Sequence, residues 1–339
     1  MSEDQLDWPA IHEAAHKLER GELVAFPTET VYGLGADAEN ACAVTYIYEA
    51  KERPSDHPVI VHLAPEADLA YWAASVPDDA RKLIDAFWPG PLTLIFKRAE
   101  HVSPIVSGGQ DSIGLRCPSH PVAQALLRTF KNGKGGIAAP SANKFGHVSP
   151  TTAQHVHDEF GQGGMVACIL DGGQSDVGIE STIVDVSRGE PVLLRPGHVS
   201  AADIARVLGK YPLQPDRNAP RASGTLEAHY APVTPVAMVD AAQIAEVSKA
   251  LHGAGRRFAL MHYSARFDAS IAAEKNVLPA DPVGYAHDLY AALRTLDTAK
   301  ADVMLVEAPP TEDVWNGIND RLRRAAHDSA GILDRLLRS

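Results

Sequence analysis

Between Lys210 and Pro232 the chain changes texture: Pro212, Pro215, Pro220 and Pro232 fall among Asn218, Ser223 and Gly224. Proline lacks a backbone donor and fixes φ, so a stretch this rich in it cannot continue as helix or central strand. It predicts an extended linker. On either side one theme repeats, short apolar strands mixed with helices. The linker therefore divides the chain into two α/β domains, with expected bounds of 1–209, a linker over 210–232, and 233–339. A length of 339 residues agrees, because it exceeds what one compact core usually takes.

The composition narrows the function classes. The chain has 31 basic and 43 acidic residues, a net charge of -12. The balance argues against a wide basic face for duplex nucleic acid, because phosphate neutralisation dominates such binding. A small basic pocket remains open. Cys42, Cys117 and Cys168 are far apart and odd in number, which argues against a disulfide framework or a thiolate zinc site. The start, Met1-Ser2-Glu3-Asp4-Gln5-Leu6-Asp7-Trp8, is acidic and lacks the apolar core of a signal peptide. No uninterrupted apolar stretch is long enough to cross a membrane. The expected compartment is the cytoplasm.

Periodicity and turn residues predict, in the first domain, helices over 11–20, 41–50, 77–87 and 121–130, and a helix start at 149–152. Strands are expected over 23–26, 59–63, 92–96, 113–116, 136–139, 168–171, 182–185 and 192–195. The last strands follow one another too closely for a helix at every crossover, so the sheet must be mixed rather than purely parallel. After the linker, strands over 236–239, 258–261 and 303–306 alternate with helices over 241–252, 284–296 and 316–326. That order predicts a smaller, Rossmann-like open α/β domain.

Several segments carry chemistry. Pro27-Thr28-Glu29-Thr30-Val31-Tyr32-Gly33-Leu34-Gly35 follows a buried strand and reads either as a ligand loop or as a turn whose glycines serve backbone geometry. Lys51, Arg53 and His57 follow a helix; they complement its dipole or bind phosphate, arginine as a forked donor and lysine as a point charge. His62 lies inside an apolar strand, where a satisfied core histidine is the plain reading. Ser141 and Asn143 follow Pro140 and by themselves suit an ordinary turn. Arg116 and Arg195 each end an apolar strand, which places them at a sheet edge facing solvent or a cleft. With Lys51 and Arg53 they make a convergent anion site. Glu180 is a candidate ion-pair partner for one of the arginines. The sequence has no H-E-x-x-H pair and no G-x-S-x-G elbow, and no protein-held metal is expected.

Together these segments, with Trp88-Pro89-Gly90-Pro91-Leu92-Thr93, Asp171-Gly172-Gly173, Glu180-Ser181-Thr182 and Leu194-Arg195-Pro196-Gly197, resemble the YrdC-type L-threonylcarbamoyladenylate synthases. The likeness runs from about residue 10 to residue 200. His229-Tyr230-Ala231-Pro232 and the second domain resemble the long, two-domain form. The resemblance implies a twisted mixed-sheet YrdC-like domain, and a reaction that makes threonylcarbamoyl-AMP and pyrophosphate from L-threonine, bicarbonate and ATP for N6-threonylcarbamoyladenosine in tRNA. It places Thr30, His62, Arg116, Ala139 and Ser181 at threonine. It places Arg53, His57, Ser112, Ser141, Ser149, Arg195 and Tyr230 at the nucleotide, with Tyr230 closing over it. Lys51, Arg53, Ser141 and Asn143 form the polar signature. Magnesium would come with ATP, and the product would pass to tRNA threonylcarbamoyl-transfer proteins; direct tRNA binding stays open. The chain departs from many long-form members in carrying Ala222-Ser223-Gly224-Thr225 where they have Ser-Pro-Gly-Met, and Ala228 where they have a lysine before the His-Tyr pair. Two other classes remain to be discriminated: an RNA-binding module, and a carbamoyltransferase-type domain.

Overall fold

The computed structural model describes residues 5–161, 163–226, 229–264, 270–329 and 331–338. The acidic stretch Met1-Ser2-Glu3-Asp4 and Ala228 lie outside the described residues. Contacts gather the chain into two units. One takes the chain up to Phe145 and Ser149–Thr225; the other takes Gly146–Val148 and the chain from Leu226 on.

The first unit is built on a nine-stranded sheet. Its strands are β1 (Leu23–Phe26), β2 (Gly33–Asp37), β3 (Ile60–Leu63), β4 (Leu92–Lys97), β5 (Ser112–Arg116), β6 (Gly136–Ala138), β7 (Val166–Ile169), β8 (Thr182–Asp185) and β9 (Val192–Arg195). Their order is β7-β1-β2-β6-β3-β5-β4-β8-β9. The β1–β7, β3–β5 and β4–β8 pairs are parallel and the other five are antiparallel, so the sheet is mixed as expected.

The helices are α1 (Trp8–Glu19), α2 (Ala41–Lys51), α3 (Leu69–Trp72), α4 (Asp78–Phe87), α5 (Pro121–Thr129), α6 (Ala153–Phe160) and α7 (Ala201–Leu208). Asp7 caps α1 through the Ala10 N–H, and Asn40 caps α2 through Cys42 and Ala43. Strand alternation then sorts the side chains onto two faces. Val61, Leu63, Leu94, Phe96, Ile113, Leu115 and Val184 join one core with residues of α2, α4 and α7. On the opposite face α1 and α5 pack over Val24, Phe26, Ile137 and Ala139. Farther along that second face only a small cluster of Ile60, Ile95 and Ile183 appears, with Leu194 and Ala222 against it. Between helices and linker, this face has room for a cleft.

Some expectations shift. Residues 27–35 are not one loop, because the chain is back in the sheet by Gly33. Gly35 is needed for close approach rather than a turn: a Cβ there would lie 2.9 Å from both Ile137 Cγ2 and Phe26 Cε1. The helix start expected at 149–152 comes at its far end, where Thr152 caps α6 through the His155 N–H. The strand expected over 168–171 lies two residues earlier, and 136–139 ends at Ala138. Arg116 ends β5 in mid-sheet rather than at an edge, and both Arg116 and Arg195 are buried.

The second unit holds a four-stranded, wholly parallel sheet: β10 (Val236–Val239), β11 (Phe258–His262), β12 (Glu274–Val277) and β13 (Val303–Glu307), ordered β10-β13-β11-β12. With it run α8 (Ala241–Gly253), α9 (Pro282–Asp297), α10 (Asn316–Ala325) and α11 (Ile332–Arg338). This is the open α/β arrangement expected. Strand β12 escapes a sequence reading because Glu274-Lys275-Asn276-Val277 is mostly exposed at the sheet edge and has no apolar pattern. No helix among the described residues is long and apolar enough to cross a membrane.

Candidate active site

Register assembles one row of polar side chains across the open face. His62 of β3 pairs with Arg116 of β5. Leu94 pairs with Leu115, which brings Thr93 of β4 level with Arg116. Thr93 pairs with Ile183 of β8, and Ile183 with Arg195 of β9. Gly114 lies beneath: a Cβ there would lie 3.1 Å from Ile95 Cδ1, 3.5 Å from Ile60 Cγ1 and 3.6 Å from Thr93 Cγ2. A narrow cleft opens on this face, lined by Pro58, Ile60, Ile95, Ser112, Gly114 and Ile183 among others.

The two strand-end arginines are held differently. Arg195 donates from Nε (3.1 Å) and Nη2 (2.9 Å) to the Ser181 carbonyl, from Nη2 to Ser181 Oγ (3.2 Å), and from Nη1 to the Ser223 carbonyl (2.8 Å). Ser181 Oγ lies 2.7 Å from Thr93 Oγ1, so the hydroxyl pair and the guanidinium form one chain. Arg116 donates from Nη2 to Glu29 Oε1 at 2.6 Å and from Nε to the Gly90 carbonyl at 3.4 Å. Glu29 supplies its carboxylate, and Glu29 Oε2 also accepts from the Ser119 N–H at 3.0 Å. Glu180 accepts from Ser149 Oγ at 2.5 Å.

His62 is buried edge-on to Phe26, with ring centroids 6.0 Å apart. Burial, and then the Arg116 charge, pushes its pKa down to about 3, so the ring is neutral at ordinary pH. It is not the satisfied core histidine of the plain reading, because its Nδ1 has no hydrogen-bond partner.

The remaining residues approach from the other ends of these strands. Lys51, the last residue of α2, is buried and donates from Nζ to the Ser141 carbonyl at 2.6 Å and to the Asn143 carbonyl. Burial and the Arg53 charge lower its pKa well below the usual lysine value. The signature therefore works partly as scaffold: Lys51 ties down the backbone of the Ser141–Asn143 turn. Ser141 bridges to Gly33, and the Asn143 amide donates to the Lys144 carbonyl at 2.7 Å. Arg53 donates from Nη2 to the Pro58 carbonyl (2.9 Å) and Ser223 Oγ (3.4 Å), with Phe145 under its guanidinium at 5.8 Å. His57 packs against the same ring, and burial and Arg53 lower its pKa. Thr30 is buried with Thr28, their hydroxyls 2.9 Å apart. The Ala139 N–H bonds the Ile60 carbonyl at 2.9 Å.

Tyr230 belongs to the second unit. It is buried there with φ at +62°, beside Tyr290 (5.8 Å) and under the Arg321 guanidinium (5.5 Å). No group of three or more His, Cys, Asp or Glu residues that could hold a metal ion is found among the described residues.

Sequence reasoning gave no role to Thr93 or Gly114, and read Glu29 only as one carboxylate in a loop. The available signal was alternation: Ser112, Gly114 and Arg116 place polar or small residues on every second position of an otherwise apolar strand.

Comparison with known proteins agrees with this architecture. The Sua5/YciO/YrdC family model, described as telomere recombination, matches residues 16–197. A second model, described as the threonylcarbamoyl-AMP synthase C-terminal domain, matches residues 199–327. The threonylcarbamoyl-AMP synthase of Bacillus subtilis is 40% identical over 335 residues, covering 94% of this chain and 93% of that protein. That of Pyrococcus abyssi is 37% identical over 324 residues, covering 92% and 93%. The crystal structure of Pyrococcus abyssi Sua5 complexed with L-threonine superposes with a TM-score of 0.86 at 36% identity, over 93% of this chain and 94% of that one. With one family model spanning more than half its length, and relatives matched almost end to end, the chain belongs to the Sua5/YciO/YrdC family in its two-domain form.

Proposed function

We propose that the chain is a threonylcarbamoyl-AMP synthase, joining L-threonine, bicarbonate and ATP into threonylcarbamoyl-AMP with release of pyrophosphate. The observation that carries this reading is the row His62–Arg116–Thr93–Ile183–Arg195. It gathers two buried guanidinium groups and the Ser181 hydroxyl over an apolar floor. The names of the relatives in Bacillus subtilis and Pyrococcus abyssi, and the threonine complex of the latter, support it.

The chemistry asks for charge stabilisation more than for a nucleophile. The threonine amine and bicarbonate condense to an N-carboxylate with loss of water, and one of its oxygens attacks the α-phosphorus of ATP while pyrophosphate leaves. Two anions must approach each other, and the negative charge that builds on the phosphorus oxygens must be met by fixed donors. In this reading Arg116, Thr30, His62, Ala139 and Ser181 hold threonine and its carbamate. Arg53, His57, Ser112, Ser141, Ser149 and Arg195 hold the nucleotide, and Tyr230 is the further residue that the family resemblance assigns to it. Glu29 holds Arg116 in place, and Lys51 and Asn143 shape the turn that presents Ser141. Magnesium enters as part of the MgATP substrate on its hard triphosphate oxygens. We place residues 1–209 as the catalytic domain and the reaction in the cytoplasm. The adenylate then passes to a protein that transfers the threonylcarbamoyl group to tRNA.

The test is mass detection of threonylcarbamoyl-AMP from the purified full chain with ATP, bicarbonate and threonine. Product forms with the wild-type chain and is lost in Arg53→Ala and Arg195→Ala. A wild-type chain that makes none under these conditions sinks the assignment.

A further inference from the structure

One wall of the cleft is neither helix nor strand. Between an isolated bridge at Leu213 and residue 226 the linker has no regular structure, yet Arg221, Ala222 and Ser223 line the cleft. This strap is fastened from outside itself. The side-chain amide of Gln110 takes both backbone groups of Arg221: Oε1 accepts from the Arg221 N–H at 2.7 Å, and Nε2 donates to the Arg221 carbonyl at 3.1 Å. A neighbouring strand would supply the same two bonds; here one half-buried side chain does so. Gln110 is itself set by Ser107, whose carbonyl accepts from Nε2 (3.2 Å) and whose hydroxyl donates to the Gln110 carbonyl (2.7 Å). The Arg221 side chain adds a bond to the Gly108 carbonyl at 3.0 Å and an exposed ion pair with Asp56 at 3.3 Å. Beyond it, Ala222 packs on Ile60, Ile95 and Ile183, and the Ser223 carbonyl meets Arg195.

We propose that Gln110 is a latch: a positioning residue that holds the 221–223 strap as the wall of the nucleotide cleft, and whose release opens it. This rests on the reading of the cleft as the nucleotide site. The two bonds to Arg221 hold the strap backbone at its start, while Arg195 holds the Ser223 carbonyl and the Arg221 side chain holds the Gly108 carbonyl. The contact of Ala222 is small, and the Asp56 pair is solvent-exposed and of little consequence. A strap with no internal ladder depends on such external bonds for its position.

The experiment uses the full chain as wild type, Gln110→Ala and Gln110→Glu. Glutamate keeps the acceptor for the Arg221 N–H and lacks the donor for its carbonyl. Without substrate, trypsin cleavage after Arg221 accelerates about tenfold in Gln110→Ala, as loss of two net hydrogen bonds predicts, and by less in Gln110→Glu. In the kinetic arm the KM for ATP rises about tenfold in Gln110→Ala, while kcat and the KM for threonine stay within about twofold. Unchanged cleavage at Arg221 overturns the latch. Faster cleavage with an unchanged KM for ATP overturns its role at the nucleotide. A wild-type chain without synthase activity sinks the functional reading alone, and the trypsin arm still decides the latch.

Discussion

The Arg116–Glu29 pair offers a quantitative test of how the site is held. The two side chains meet at 2.6 Å and each is only 5% exposed. Glu29→Ala would leave a buried guanidinium with the 3.4 Å bond to the Gly90 carbonyl, and would also strip the Ser119 N–H of its acceptor. Removing one member of a buried pair typically costs about 3–5 kcal/mol, because the other is left charged and uncompensated. Removing both charges together avoids that penalty. Glu29→Ala and Arg116→Met should therefore each cost about 3 kcal/mol or more, and the double variant much less than their sum, a coupling of about 2 kcal/mol. The assay is urea unfolding followed by tryptophan fluorescence. Of the chain's four tryptophans, Trp8, Trp72 and Trp88 report the first unit and Trp315 the second. A Trp315→Phe background isolates the first transition. Single variants that each lose under about 1 kcal/mol and add without coupling would refute the claim that this pair is a buried, mutually dependent unit.

Two further outcomes follow from the same face. Arginine can only donate, so Ser181 Oγ is the acceptor in its bond from Arg195; if Thr93 donates as well, the Ser181 hydrogen is free to meet an anionic substrate. Thr93→Val should raise the KM for threonine about tenfold with the melting temperature little changed, and Thr93→Ser should restore it; valine kinetics equal to wild type would remove the role. His62 makes stability depend on pH. An unfolded histidine takes up a proton below about 6.5, whereas the buried ring resists protonation down to about 3, so unfolding absorbs a proton in that window. Stability should fall with decreasing pH from about 6 to about 4, by up to about 1.4 kcal/mol per unit, and His62→Gln should flatten the slope. An identical pH profile in that variant would contradict the buried neutral ring.

Much of the first domain was legible because its strands are short apolar runs bounded by proline, glycine or charge. Strands β1, β3, β4, β8 and β9 carry that signature within a residue or so. Residues 33–37 were not legible, since Gly33-Leu34-Gly35-Ala36-Asp37 reads as turn chemistry until Phe26 and Ile137 pack against the space that Gly35 leaves. Helix α7 lay at the edge of the linker stretch, and its Ser200–Asp203 capping box was the available cue. The partner of Arg116 was not legible for a different reason. Glu180 and Glu29 look alike in sequence, and only the fold puts one at Ser149 and the other at Arg116.

Alternation, turn residues and charge balance are local properties of a chain. They were enough to set two α/β domains, a proline-rich joint, and strand ends rich in arginine, serine and threonine. Which of those ends share a surface is decided by strand order and register, and both depend on pairing between residues as distant as Thr93 and Ile183. A slip of one residue would turn Arg116 and Thr93 into the opposite core. The row that gathers His62, Arg116 and Arg195, and the amide that fastens Arg221, therefore exist only once the sheet has closed around them.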